Sequence, residues 1–135
     1  MSHFFTLAEK ASNTEIMETV DQWVVLLSQR KFAEALIAIP ADSFWSAELL
    51  AEVIDKYDDG EKNEVTVTND GTSIDGAGNV SPFTQRKEVD WFDDGQGAVW
   101  YDLNINGHVS DLTATFGLEK NKGQLLIRLH DIHIM

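Results

Sequence analysis

The chain has 135 residues, 43% of them hydrophobic, with 23 Asp and Glu against 10 Lys and Arg, a formal net charge of −13. The length suits one α+β domain, 1–135, large enough to bury a core without covalent staples. The absence of cysteine excludes disulfides and thiolate metal sites, the acidic balance disfavours nucleic acid and anionic membrane, and no apolar run approaches the ~18 residues of a membrane span.

Residues 1–12 read as an arm or an irregular first turn, with a poor match to a signal peptide, so a cytoplasmic protein is expected. Ser12-Asn13-Thr14-Glu15 then offers a capping box, and Ile16, Val20, Trp23, Val24 and Leu27 follow at helical spacing. This predicts a helix over 13–29. "RKFAEALIAI" predicts a second helix, stopped by Pro40. A third, capped by Asp42 or Ser43, carries Leu49, Leu50, Val53, Ile54 and Tyr57 and ends at Gly60. The helical part thus spans about 13–60 and the sheet part about 63–135.

Beyond residue 62 the apolar period falls towards two. "EVTVT" (64–68), "FTQRKEVDWF" (83–92), "AVWYDLNI" (98–105), "HVSDLTATFGL" (108–118) and "LLIRLHDIHI" (125–134) predict strands. "NDG", "GAGN", "DDGQG" and "EKNKGQ" are turn or loop signals, and Asn106-Gly107 is the strongest hairpin signal. Helices followed by a meander predict two to three helices packed on a curved antiparallel sheet of about four to six strands. Trp23, Trp45, Trp91 and Trp100 are expected core fillers, with Trp23 and Trp100 alternatively lining a pocket.

The last strand contains a phase slip. Leu125, Ile127 and Leu129 share one parity, and Ile132 and Ile134 the other. A one-residue bulge near His130-Asp131 would return both isoleucines to the core face. The same slip re-aims His130, Asp131 and His133. Zinc needs three or four converging ligands, which His-x-x-His on a strand does not supply without help; His108 could add a third imidazole, but a hydrogen-bonded structural role or a solvent-facing histidine is favoured, so no metal and no cofactor is expected.

Asp102, His108, Asp111 and His130 are the acid–base candidates, since a carboxylate beside an imidazole is the usual basis of proton transfer. The competing reading makes Ser110 and Asp111 backbone braces of a turn or bulge. "DKYDDGEKNEVT" (55–66) imitates a calcium loop but has Tyr57 at its third position and Thr66 at its twelfth, which excludes the site. Trp91, Phe92, Asp93 and Asp94 form a possible contact surface for a basic partner. No nucleophile elbow, phosphate loop or dinucleotide fingerprint occurs.

"YDLNINGHVSDLTATF" and the closing "LHDIHIM" resemble a small family of uncharacterised bacterial proteins with a "DL..NG..SDLTATF" hairpin and a "DIHVM"-like tail. This chain departs from that pattern at His108-Val109, where Glu-Trp is commoner, and at Asn104, where Pro is common. The layout also resembles the cone-shaped nuclear-transport-factor-2/cystatin-like architecture, which hosts isomerases and dehydratases, binding domains and immunity proteins. The resemblance implies no catalytic residues. The function expected from charge and motif content is a non-catalytic acidic binding protein, in one form an immunity protein neutralising a basic toxin. The alternative is a small lyase or isomerase with acid–base residues in a cone-shaped pocket. A homodimer is a third expectation, to be signalled by an exposed apolar sheet face.

Overall fold

A computed structural model of the chain describes residues 7–8, 10–57, 66–68, 86–105, 108–121 and 123–134, without the side chains of 108, 109, 111 and 121. The expected loops at 69–71 and 76–79, and Gly60, lie outside the described residues. The elements in chain order are β1 (Leu7–Ala8), α1 (Asn13–Ser28), α2 (Phe32–Ala38), α3 (Ala47–Asp55), β2 (Val67–Thr68), β3 (Lys87–Trp91), β4 (Gly97–Ile105), β5 (His108–Asn121) and β6 (Gln124–Ile134). Three helices pack against one strongly curled antiparallel sheet, an α+β cone-like fold.

Local chemistry sets α1. Ser12 Oγ accepts the Glu15 N–H at 3.1 Å while Glu15 reaches back to the Ser12 N–H, completing the capping box. The helix ends at Ser28 with Gln29 as its cap, and Arg30 just beyond takes a left-handed φ of 58°. Its guanidinium forms two bonds to the Asp55 carboxylate, at 3.1 and 3.0 Å, and lies over Phe32, tying the end of α1 to α2 and α3. Asp55, the first residue of the rejected calcium loop, is therefore already paired. The cap of α3 differs from expectation. Ser46, not Asp42 or Ser43, accepts the Leu49 N–H, at 3.1 Å. Asp42 and its neighbours are recruited by the sheet instead: Asp42 N–H donates to Leu129 O and Leu129 N–H to Pro40 O.

The sheet runs β1-β6-β5-β4-β2, with β3 also on β4. β2 and β3 lie end to end along one edge of β4: Thr68 pairs with Asn104, and the Asp102 N–H donates to Arg86 O. Ile105 pairs with His108, so the paired strands are separated by residues 106 and 107 alone, as Asn-Gly predicts. The "EKNKGQ" segment is less of a turn than expected. β5 continues to Asn121 and β6 begins at Gln124, with Gly123 at φ 81°.

The helices cover the concave face. Ile16, Val20, Trp23, Val24 and Leu27 of α1 meet Val99, Tyr101, Leu103, Ala114, Phe116 and Leu118 of the sheet, all buried. Trp23 packs edge-on against Phe116, with centroids 5.1 Å apart. The tryptophan expectation holds for Trp23, which is in this core, and in part for Trp45, which packs against it; it needs correction for Trp91 and Trp100. Trp100 alternates with Val99 and Tyr101 and so faces the convex side, beneath Arg86. Trp45 lies in the loop before α3, and Trp91 is 40% exposed.

Two irregularities bend the sheet. Leu103 faces three residues, Ser110 to Leu112, between the pairs Asp102–Thr113 and Asn104–Val109. Ser110 Oγ donates to Leu103 O at 2.6 Å and accepts the Leu112 N–H at 3.2 Å, the bracing role expected of it. The second is the expected bulge in β6: Thr115 pairs with Asp131 and Phe116 with Leu129, leaving His130 unpaired. Ile132 is thereby buried. Ile134 was expected inward with it but is 60% exposed, because its pairing with Leu112 is the last of the ladder and the sheet outruns its cover there.

Candidate functional site

The end of β3 and its turn form an exposed aromatic feature that also carries carboxylates. The Phe92 N–H donates to Gln96 O at 2.7 Å, Gly95 N–H to Phe92 O, and Gln96 N–H to Asp94 Oδ1. Gly95 takes φ 85°, which a side chain would strain. This turn presents Phe92, 53% exposed, between the exposed carboxylates of Asp90, Asp93 and Asp94.

Trp91 lies on the concave side at the N-terminus of α1, where its Nε1–H donates to Asn13 Oδ1 at 2.9 Å. Lys120 Nζ sits 5.3 Å from the ring centroid, so the ring already receives a cation within the chain. Both aromatics are held in place by backbone and side-chain bonds, which lowers the ordering cost of binding.

A second polar group occupies the convex face. Asp102 accepts the Arg86 backbone N–H and the Thr113 hydroxyl, each at 2.7 Å, and Thr113 is fully buried. The carboxylate thus ties the start of β3 to β4 and β5. His130 lies over Gly117, with its Nδ1 3.0 Å from Asp42 Oδ2. An ionised carboxylate only accepts, so Nδ1 carries the proton. Trp45 Nε1–H donates to His130 O at 3.1 Å, and Phe44, 60% exposed, stacks at a tilt on Trp45. The bulge therefore forms a latch between β6 and the loop before α3.

The two acid–base candidates whose side chains are described do not converge. Asp102 stands beside Thr113, and His130 over Gly117, four residues along β5, or about 13 Å. The side chains of His108 and Asp111 lie outside the described residues. His133 Nδ1 lies 3.0 Å from Asp131 Oδ2. Among the described residues no three His, Asp or Glu side chains gather as a metal site. Trp23 and Trp100, expected to line one pocket, face opposite sides of the sheet. The convex face bears Glu88, Asp90, Asp102, Thr115, Arg128, Asp131 and His133 together with the apolar Ala98, Trp100 and Leu126. No described helix is long and apolar enough to cross a membrane.

Sequence reasoning missed the latch and the Trp91–Asn13 bond, since both join residues more than 70 positions apart. Gly117 was the one available signal: a glycine within a predicted strand often marks a close approach. We expect Gly117→Ala to expel the His130 ring, because the new methyl would lie 2.2 Å from Nε2. The ring is half exposed and can swing away, so the cost is limited to the latch bond, about 0.5–1.5 kcal/mol. Denaturant unfolding and the His130 ring resonances would read both effects, and an unmoved imidazole would refute the geometry.

Comparison with protein-family models, with curated proteins and with solved structures returns no match to this chain.

Proposed function

We propose that this protein is a non-catalytic acidic binding protein that captures a basic protein partner, in the form of an immunity protein that neutralises a basic toxin. The observation that carries this reading is the hydrogen-bonded turn at 92–96, which holds exposed Phe92 between the carboxylates of Asp90, Asp93 and Asp94, with partly exposed Trp91 beside it. Aromatic anchors supply most of the energy of an interface, and surrounding charges steer the encounter. A net charge of −13 extends that steering over the whole surface. The hairpin at 101–116 and the closing residues, which resemble the bacterial "SDLTATF" family, and the cone-like layout, which resembles the nuclear-transport-factor-2/cystatin-like architecture, are compatible with such a role. The separation of Asp102 from His130 weighs against the lyase or isomerase alternative.

A toxin-like reading frame adjacent to this one would support the reading, and its product is the protein to test. Wild-type protein should bind it and restore growth. Phe92→Ala should weaken binding by roughly thirtyfold or more, mostly in the dissociation rate. Asp93→Asn with Asp94→Asn should instead slow association, most at low salt. Equal binding by wild type and Phe92→Ala would reject this surface as the site.

A further inference from the structure

We propose that the outer edge of β3 is a strand-addition site for an extended segment in which Lys or Arg alternates with apolar residues. The proposal rests on the binding reading above and specifies how the partner is held.

The two edges of the sheet are treated differently. The β6 edge is covered by β1, which pairs Leu7 with Leu125 and Ala8 with Gln124, and by the Ala41 bridge to Leu129. On the other side, β3 pairs only with β4 among the described residues. The hydrogen-bond phase shows which groups face out. Arg86 O accepts from Asp102 N–H, and Phe92 N–H donates to Gln96 O. Arg86, Glu88, Asp90 and Phe92 therefore turn their backbone groups towards β4, and Lys87, Val89 and Trp91 turn theirs outward. No described residue bonds those outward groups. An edge of this kind is a template for another chain.

Charge selects the occupant. Glu88 and Asp90 project on the convex side and are exposed, whereas Val89 and Trp91 face the concave side. A second copy pairing antiparallel about Val89 would set Glu88 against Asp90 twice, and directly opposed like charges destabilise a strand pair. A segment with Lys or Arg opposite Glu88 and Asp90, and apolar residues opposite Val89 and Trp91, satisfies both faces. Lys87 does not oppose it, because its ammonium is held by Asp21 at 2.7 Å. The added strand would run to Phe92 and place its end at the carboxylates of Asp93 and Asp94.

The experiment titrates the whole protein with a short blocked peptide alternating lysine with valine. Two isomeric controls have the same charge, one N-methylated at the valines and one at the lysines. In the proposed register the valine amides donate to β3 and the lysine amides point away. Valine methylation should weaken binding roughly tenfold or more, and lysine methylation little. Amide exchange should slow at Lys87, Val89 and Trp91 and stay unchanged at Glu88 and Asp90, which already bond β4. Glu88→Lys with Asp90→Lys should transfer the preference to a glutamate–valine peptide. Equal affinity for the two methylated isomers, or no binding of the parent peptide, would overturn strand addition. The binding reading is tested separately, since loss of toxin binding in Phe92→Ala would uphold the site in either case.

Discussion

Replacing Trp23 with alanine should lower stability by about 3–5 kcal/mol, the range for truncating a large buried aromatic. Trp23 is fully buried and forms the edge-on contact with Phe116 that joins α1 to the concave face. A loss of that size removes a large part of the roughly 5–15 kcal/mol that stabilises a domain of this kind. It would appear as a lower denaturant midpoint with little change in slope. Trp23→Phe provides the contrast. It keeps a ring against Phe116 and deletes the Nε1–H, which is buried and meets no acceptor among the described residues. Burying an N–H without a partner costs free energy that phenylalanine avoids, so its loss should be clearly smaller than that of alanine. A Trp23→Ala loss below about 1 kcal/mol would mean that α1 is not fastened to the sheet through this side chain.

Gly97→Ala should cost about 1–3 kcal/mol, the range for overpacking a close contact, and, under the proposed binding role, should weaken partner binding beyond what that loss explains. A methyl at Gly97 would lie 2.6 Å from Asp90 O, 3.0 Å from Trp91 Cε3 and 3.2 Å from the Leu118 side chain. The nearest atom is backbone, so β3 itself must retreat from β4. The retreat would act where Trp91 reaches Asn13 and where the Phe92 N–H meets Gln96 O. Faster amide exchange at Phe92 would report it. A variant with unchanged exchange and wild-type affinity would contradict this packing. Gly117→Ala differs because its obstacle is a movable side chain. The same substitution in adjacent strands should therefore disturb the ladder in one case and a latch in the other.

These expectations separate what the chain specifies locally from what it specifies only when folded. The α1 boundary was legible because the capping box needs nothing beyond residues 12–15. The β6 bulge was legible because burying Leu129 and Ile132 in one strand requires a change of parity. The cap of α3 was not. Asp42, Ser43 and Ser46 are all capable caps, and the choice was made by Leu129 and His130 of β6, which engage the backbone and carboxylate of Asp42. β1 was missed for a similar reason, since two residues carry no periodicity and are ordered by Leu125 and Gln124.

By itself, then, the sequence determined the α+β class, the first helix, the hairpin at 105–108 and the kink in the last strand, because each follows from spacing or turn chemistry over a few neighbouring residues. The tertiary structure alone decided that Trp23 enters the core while Trp100 faces the convex side, that Asp102 is a brace, that His130 closes on Asp42, and that, among the described residues, β3 is left with an outward edge. Those outcomes depend on which strands lie side by side. Composition and periodicity constrain the face of a residue only once its register is set, and register is a property of the paired sheet.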